Sequence, residues 1–135
     1  MKLLLDTNVV LDVLLERSDF IDNSLGVFQK AISNGDRLYF SASSATGVYY
    51  IVRKQTGNKE QALNCIKRLA KLLTFAEVTE ESVLAATISK IEDYKDAVID
   101  NVASRIKADY IITRNVDDFK KSKNNIISPN EFIAK

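Results

Sequence analysis

Apolar residues occur along this chain in short dense runs, each closed by a polar or charged side chain. Residues 2–6 (KLLLD) read as a buried strand, too short and too apolar for an exposed alternating one. From Asn8 to Arg17 the apolar positions Val9, Val10, Leu11, Val13, Leu14 and Leu15 go nearly all round a helix. A second helix fills 19–34 and ends at Asn34-Gly35, a C-cap and turn signal. Residues 38–42 (LYFSA) form the next strand, and Ser43 or Ser44 caps a helix running to Gly57. Residues 59–72 make an amphipathic helix with Ala62, Leu63, Cys65, Ile66, Leu69, Ala70 and Leu73 on its apolar side. A short strand over 73–78 precedes a helix from Thr79-Glu80-Glu81-Ser82 to about Ile91, and another helix spans 94–107. The apolar strand 109–114, a polar turn at NVDDF, a strand at 125–128 and a helical turn from Pro129 complete the pattern.

Strands alternating with helices of this length predict an α/β sandwich around a mainly parallel sheet, built as one domain over 1–135. In such sheets ligands sit at the carboxyl ends of the strands. Asp6 stands at such an end, directly after KLLL.

Composition narrows the chemistry. With 46% hydrophobic and 27% charged residues, four Gly and one Pro, the chain is ordinary for a globular protein, and wholesale disorder is excluded. Net charge is +1, so a polyanion has to be held by a local patch or through metal. The chain has no His, which removes Ser-His-Asp and Cys-His triads, His-ligated zinc and imidazole acid–base catalysis. Cys65 is alone, which excludes an internal disulfide or a thiolate cluster and suits a reducing compartment. Asp6 and Asp12 interrupt the N-terminal apolar run, so no signal peptide or membrane span is expected, and the expected location is the cytoplasm.

Acids recur beside buried elements. In IEDYKDAVIDN, Asp93, Asp96 and Asp100 are spaced three and four apart, neighbours on one helical face. Capping alone accounts for Asp93, since a helix start favours an acid there. Asp96 borders the apolar stripe of Val98, Val102 and Ile106, where a carboxylate is costly unless paired or metal-bound. The strand 110–113 ends in Thr113, Arg114 and Asn115, with Asp117 and Asp118 in the next turn, while SASSAT supplies hydroxyls after the second strand. Carboxylate and amide oxygens without His or Cys suit a hard divalent cation, Mg²⁺ or Mn²⁺, of the kind used in phosphoryl chemistry.

The segments LLLDTNVVLDVLLER, FSASSATGVYYIVRK, DYKDAVIDNVASRIKADYIITRN and the following DDF resemble a PIN domain, of the bacterial branch related to toxin–antitoxin ribonucleases. The resemblance runs from residue 2 to about 130. It implies a PIN-like three-layer α/β/α sandwich and a Mg²⁺- or Mn²⁺-dependent endoribonuclease. A homodimer and a cognate antitoxin protein are implied with it. Its site maps onto Asp6 and Asp96 as carboxylate ligands and Asn115 where an acid is usual, while the family's Glu falls on Gly47. Asp93, Asp100, Asp117 and Asp118 are the acids available as substitutes, and Asp12 is assigned a structural or supporting role.

Asn8 orients the first acid in such a site, or simply caps the first helix, and Thr113 either lies near the site or merely ends its strand. Arg114 and Arg53 are the suggested RNA contacts, with Lys54, Arg105 and Lys107 further basic candidates, and solvated surface is the plainer reading of all five. The KKSKNN run reads as a solvated loop, an RNA contact being its sharper reading, and Tyr49 and Tyr50 read as core and subunit-interface residues. Two of the four expected ligands are missing as acids, which keeps a second reading open: a degenerate module that binds RNA or a protein without cutting. In a third, the acids only cap helices of a regulatory or scaffold domain, which does not explain an acid directly after KLLL.

Overall fold

The computed structural model describes residues 1–135. The chain begins with β1 (Lys2–Leu5), α1 (Thr7–Leu14) and α2 (Ile21–Asn34), then β2 (Arg37–Ser41), α3 (Ala42–Thr56) and α4 (Lys59–Leu72). It continues with β3 (Thr74–Ala76), α5 (Glu80–Ala86), α6 (Tyr94–Ile106) and β4 (Tyr110–Ile112). A 3₁₀ turn (Val116–Phe119), β5 (Ile126–Ile127) and α7 (Pro129–Ile133) close it. The sheet order is β3-β2-β1-β4-β5, and every pair is parallel. Parallel neighbours cannot be joined by a tight turn, so crossover segments cover the sheet on both faces.

The pleat of β1 divides the core. Leu3 and Leu5 pack with Val9, Val27, Val48, Leu69 and Phe132, from the helices on one face. Leu4 points the other way, into Ala86, Val98, Ile99, Val102 and Phe119. The unbroken LLL run is therefore the signature of a central strand that feeds two apolar layers. This is the three-layer α/β/α arrangement expected.

Several boundaries differ from the pattern in the sequence. Two strands run into helices with no intervening loop, so the last strand residue or the one after it becomes the cap. Asp6, rather than Asn8, caps α1, accepting from the Thr7 N–H. Ser41, rather than Ser43 or Ser44, stands at the start of α3, and its hydroxyl pairs with Ser43 Oγ at 2.7 Å instead of capping. The expected helix to Ile91 stops at Ala86 and gives way to an irregular stretch up to Asp93. α2 ends on Gly35 at φ 74°, a left-handed turn that glycine adopts without penalty.

No helix is long and apolar enough to cross a membrane.

Candidate active site

β1 pairs with β2 on one side and β4 on the other, so the chain builds outward from β1 through β2 and β3 and then crosses back to its other side with β4. The carboxyl edge at this switch point is where an open parallel sheet forms a crevice. Leu5 is in register with Phe40 and Ile112, and one step beyond stand Ser41, Asp6 and Thr113.

Asp6 is 3% exposed, and its orientation is fixed from several directions. Oδ1 accepts from the Thr7 N–H at 2.7 Å, and Oδ2 accepts from the Thr113 hydroxyl at 2.7 Å. Asn8 Nδ2 lies 3.4 Å from both Asp6 Oδ2 and Thr113 Oγ1, while Asn8 Oδ1 accepts from the Arg114 N–H at 3.3 Å. The Asn115 N–H donates to Thr113 Oγ1 at 3.0 Å. Asn8 thus stands inside α1 and bridges Asp6 to the turn after β4, while Thr113 donates directly to the acid.

Asp96 reaches the same edge from α6, on the opposite face of the sheet. It is 7% exposed, and no N–H or O–H donates to its carboxylate; the one nearby cation is Lys95, 3.7 Å from Oδ1. Burial, and next the facing charge of Asp6, push its carboxyl up to about 6. Lys95 opposes the shift, and Asp93 and Asp118 add to it. A buried carboxylate facing a second one with so little compensation of its own is electrostatically unfavourable unless a proton or a cation joins it.

Asp93 caps α6, accepting from the Asp96 N–H at 2.9 Å, so capping and shaping of the site coincide in one residue. Asp96 opens onto a cavity of about 570 Å³ that Asp93, Asp117 and Asp118 also line. Asn115 is exposed and lines a separate hollow, which shares Asp117 and Asp118 with the first. Asp100, one turn beyond Asp96, accepts from Ser122 Oγ and, at 2.9 Å, from Asn124 Nδ2, which ties α6 to the loop before β5.

The basic residues are distributed otherwise than their sequence positions suggest. Arg114 grips the fully buried Asp12 with Nε–Oδ2 at 2.7 Å and a second nitrogen 3.2 Å from Oδ1, and its guanidinium lies 3.8 Å from the Phe20 ring centre. Ser24 and Arg17 complete the shell of Asp12. Arg53 donates to the Tyr49 hydroxyl at 3.2 Å on α3. Lys90, Lys120 and Lys121 line the Asp96 cavity. The KKSK run was the only sequence signal for two of them.

Gly47 lies on α3, exposed, and a Cβ built there would meet nothing within 4 Å. No three acidic or cysteine side chains stand close enough together to share one metal ion. The donor set that does form still fits one hard ion, because Mg²⁺ takes one or two protein carboxylates and keeps several waters.

A family model described as PIN domain matches residues 2–117, and the chain belongs to the PIN domain family. Solved structures share the fold at low identity. One is VapBC2 from Rickettsia felis bound to a DNA fragment from their promoter, with 17% identity and a TM-score of 0.73, covering 95% of this chain and 98% of that one. Another is VapBC-1 from nontypeable Haemophilus influenzae, with 20% identity and a TM-score of 0.71 over 96% and 99% of the two chains. FitAB bound to an IR36 DNA fragment is similar at 19% identity and a TM-score of 0.71, over 94% of each chain. The comparison with curated proteins finds no match.

Proposed function

We propose that this PIN domain is a divalent-cation-dependent endoribonuclease acting as the toxin of a toxin–antitoxin pair. The observation that carries the reading is the buried pair Asp6 and Asp96, brought to one sheet edge from the end of β1 and from α6, with no hydrogen-bond donor on Asp96. Asp6 and Asp96 would hold a Mg²⁺ or Mn²⁺ ion. When bound, that ion supplies Lewis-acid polarisation of a phosphodiester and lowers the pKa of a water. The rest is the chain's own work. Thr7 and Thr113 fix the Asp6 carboxylate, Asn8 ties it to the turn after β4, and Asp93 sets the first turn of α6 on which Asp96 rides. Asp118 is better placed than Asn115 to add charge to the Asp96 cavity. An antitoxin partner is supported by the paired names VapBC and FitAB of the similar structures, and a homodimer and a cytoplasmic location belong to the same reading.

The purified protein should cut RNA in Mn²⁺ or Mg²⁺, and Asp6→Asn should lower the rate by about 10²-fold or more while retaining the fold. An inactive wild type, or an Asp6→Asn protein as active as wild type, overturns the proposal. Gly47 and the exposed amide of Asn115 favour a second reading, an RNA- or protein-binding module without catalysis. Calorimetry separates the two: absence of Mn²⁺ binding at millimolar concentration selects the module.

A further inference from the structure

The cations of the protein can be sorted by what already engages them. Arg114 and Arg17 are tied to Asp12, Arg53 to the Tyr49 hydroxyl, and Arg105 to the Glu77 carbonyl. Lys2 and Lys30 donate to the carbonyls of Ile106 and Phe132. Lysines whose side chains make no ion pair or hydrogen bond occur elsewhere too, Lys54, Lys59, Lys107 and Lys123 among them, but three of them, Lys90, Lys120 and Lys121, gather exposed at the Asp96 cavity. They come from two segments that meet across it, Lys90 before α6 and the other two after the 3₁₀ turn.

Five carboxylates line the cavity with these lysines: Glu92, Asp93, Asp96, Asp117 and Asp118, of which Asp96 alone is buried. Such a lining makes two demands on a ligand. It must be anionic where it meets the lysines, and it must approach the carboxylates together with a cation. A small anion meets only the first demand. A phosphodiester strand meets both, because one phosphate can approach Asp96 while its neighbours rest on the lysines. A concave cavity of about 570 Å³ also favours one strand, since a duplex presents a convex surface that cannot follow it inward. We infer that Lys90, Lys120 and Lys121 seat the phosphates flanking the scissile one in a single strand of RNA. The assignment rests on the ribonuclease reading and moves the RNA-binding role away from Arg114 and Arg53.

A second basic hollow, of about 590 Å³ on α4 with Lys67 and Lys71, supplies the control. Binding of a fluorescein-labelled single-stranded RNA is followed by anisotropy in Ca²⁺ across a salt series, with strand integrity checked on gels. Cleavage kinetics are then measured in Mn²⁺. The triple variant Lys90→Ala/Lys120→Ala/Lys121→Ala should lower the slope of log K against log salt by about 2, at about 0.7 for each phosphate no longer neutralised. It should raise KM and leave kcat within about twofold, and the corresponding triple Arg variant should restore wild-type binding. Lys67→Ala/Lys71→Ala should change neither. A triple Ala variant with the wild-type slope, or an α4 variant weakened as much, overturns the assignment. A wild type that neither binds nor cuts the strand removes the ribonuclease reading as well, whereas one that does both while the triple variant matches it removes this assignment alone.

Discussion

Asp12 shows how far a single residue's role depends on what the chain brings to it. It is a carboxylate inside an apolar helix, fully buried, and its compensation comes from Arg114, 102 positions away. Removing one member of a buried pair leaves the other charge uncompensated. Asp12→Asn should therefore destabilise the protein by about 3 kcal/mol, less whatever the partly exposed Arg114 regains from water. Urea denaturation checks this, and an unchanged midpoint would show that a neutral amide serves the Arg114, Arg17 and Ser24 donors as well as the carboxylate does. Asp6 was legible in the sequence because a charge ending an apolar strand stands out, although the structure shows that it also caps α1. The partner of Arg114 was not, since nothing local in TRN distinguishes an arginine that meets RNA from one that meets a buried acid.

At the scale of elements, α3 carries the departure that matters most. Gly47 is mid-helix, with no positive φ and open space where a side chain would go. Gly47→Ala should stabilise the protein by about 0.5–1 kcal/mol, the ordinary helical cost of glycine relative to alanine, read as a higher melting temperature. Gly47→Glu tests the resemblance more directly. It should tighten Mn²⁺ binding in calorimetry, and unchanged affinity would mean that this turn of α3 does not face the ion. The helices themselves were readable from periodicity, and so were the caps at Gly35, Gly57, Thr79 and Asp93, but not those that start α1 and α3. Where β1 and β2 enter α1 and α3 without a loop, the cap falls on residues that the pattern assigns to the strand end, Asp6 and Ser41. The stop of α5 at Ala86 follows from no breaker in the sequence.

For the whole molecule, the site should appear in the stability curve. The Asp96 carboxyl sits at about 6 in the fold against an ordinary 3.8, so between these values the folded state binds more protons than the unfolded chain. Stability without metal should fall as pH rises from about 4 to about 6, and stay lower above that. Asp96→Asn should abolish this slope and, at pH 7, raise stability by about 2 kcal/mol, allowing for solvent in the cavity. A divalent cation should reverse the penalty, raising the melting temperature of wild type at pH 7 but not that of Asp96→Asn. Thermal melts across pH, with and without Mn²⁺, check the set, and a pH-independent wild type would remove the coupling.

The sequence by itself determined the class of architecture and the place of one acid. Dense apolar runs of strand length alternating with helices admit little besides a parallel sheet covered on both faces, and KLLLD places its acid at the edge of that sheet. Only the tertiary structure decided which acids meet. Asp6 and Asp96 are 90 residues apart in the chain and come from the central strand and from α6, and Asp100, one helical turn from Asp96, is turned to the loop before β5 instead. Charges interact through space, whereas periodicity reports only which face of its own element a residue occupies. The buried Asp12–Arg114 pair and the free lysines around the cavity therefore became visible only once the strands were in register.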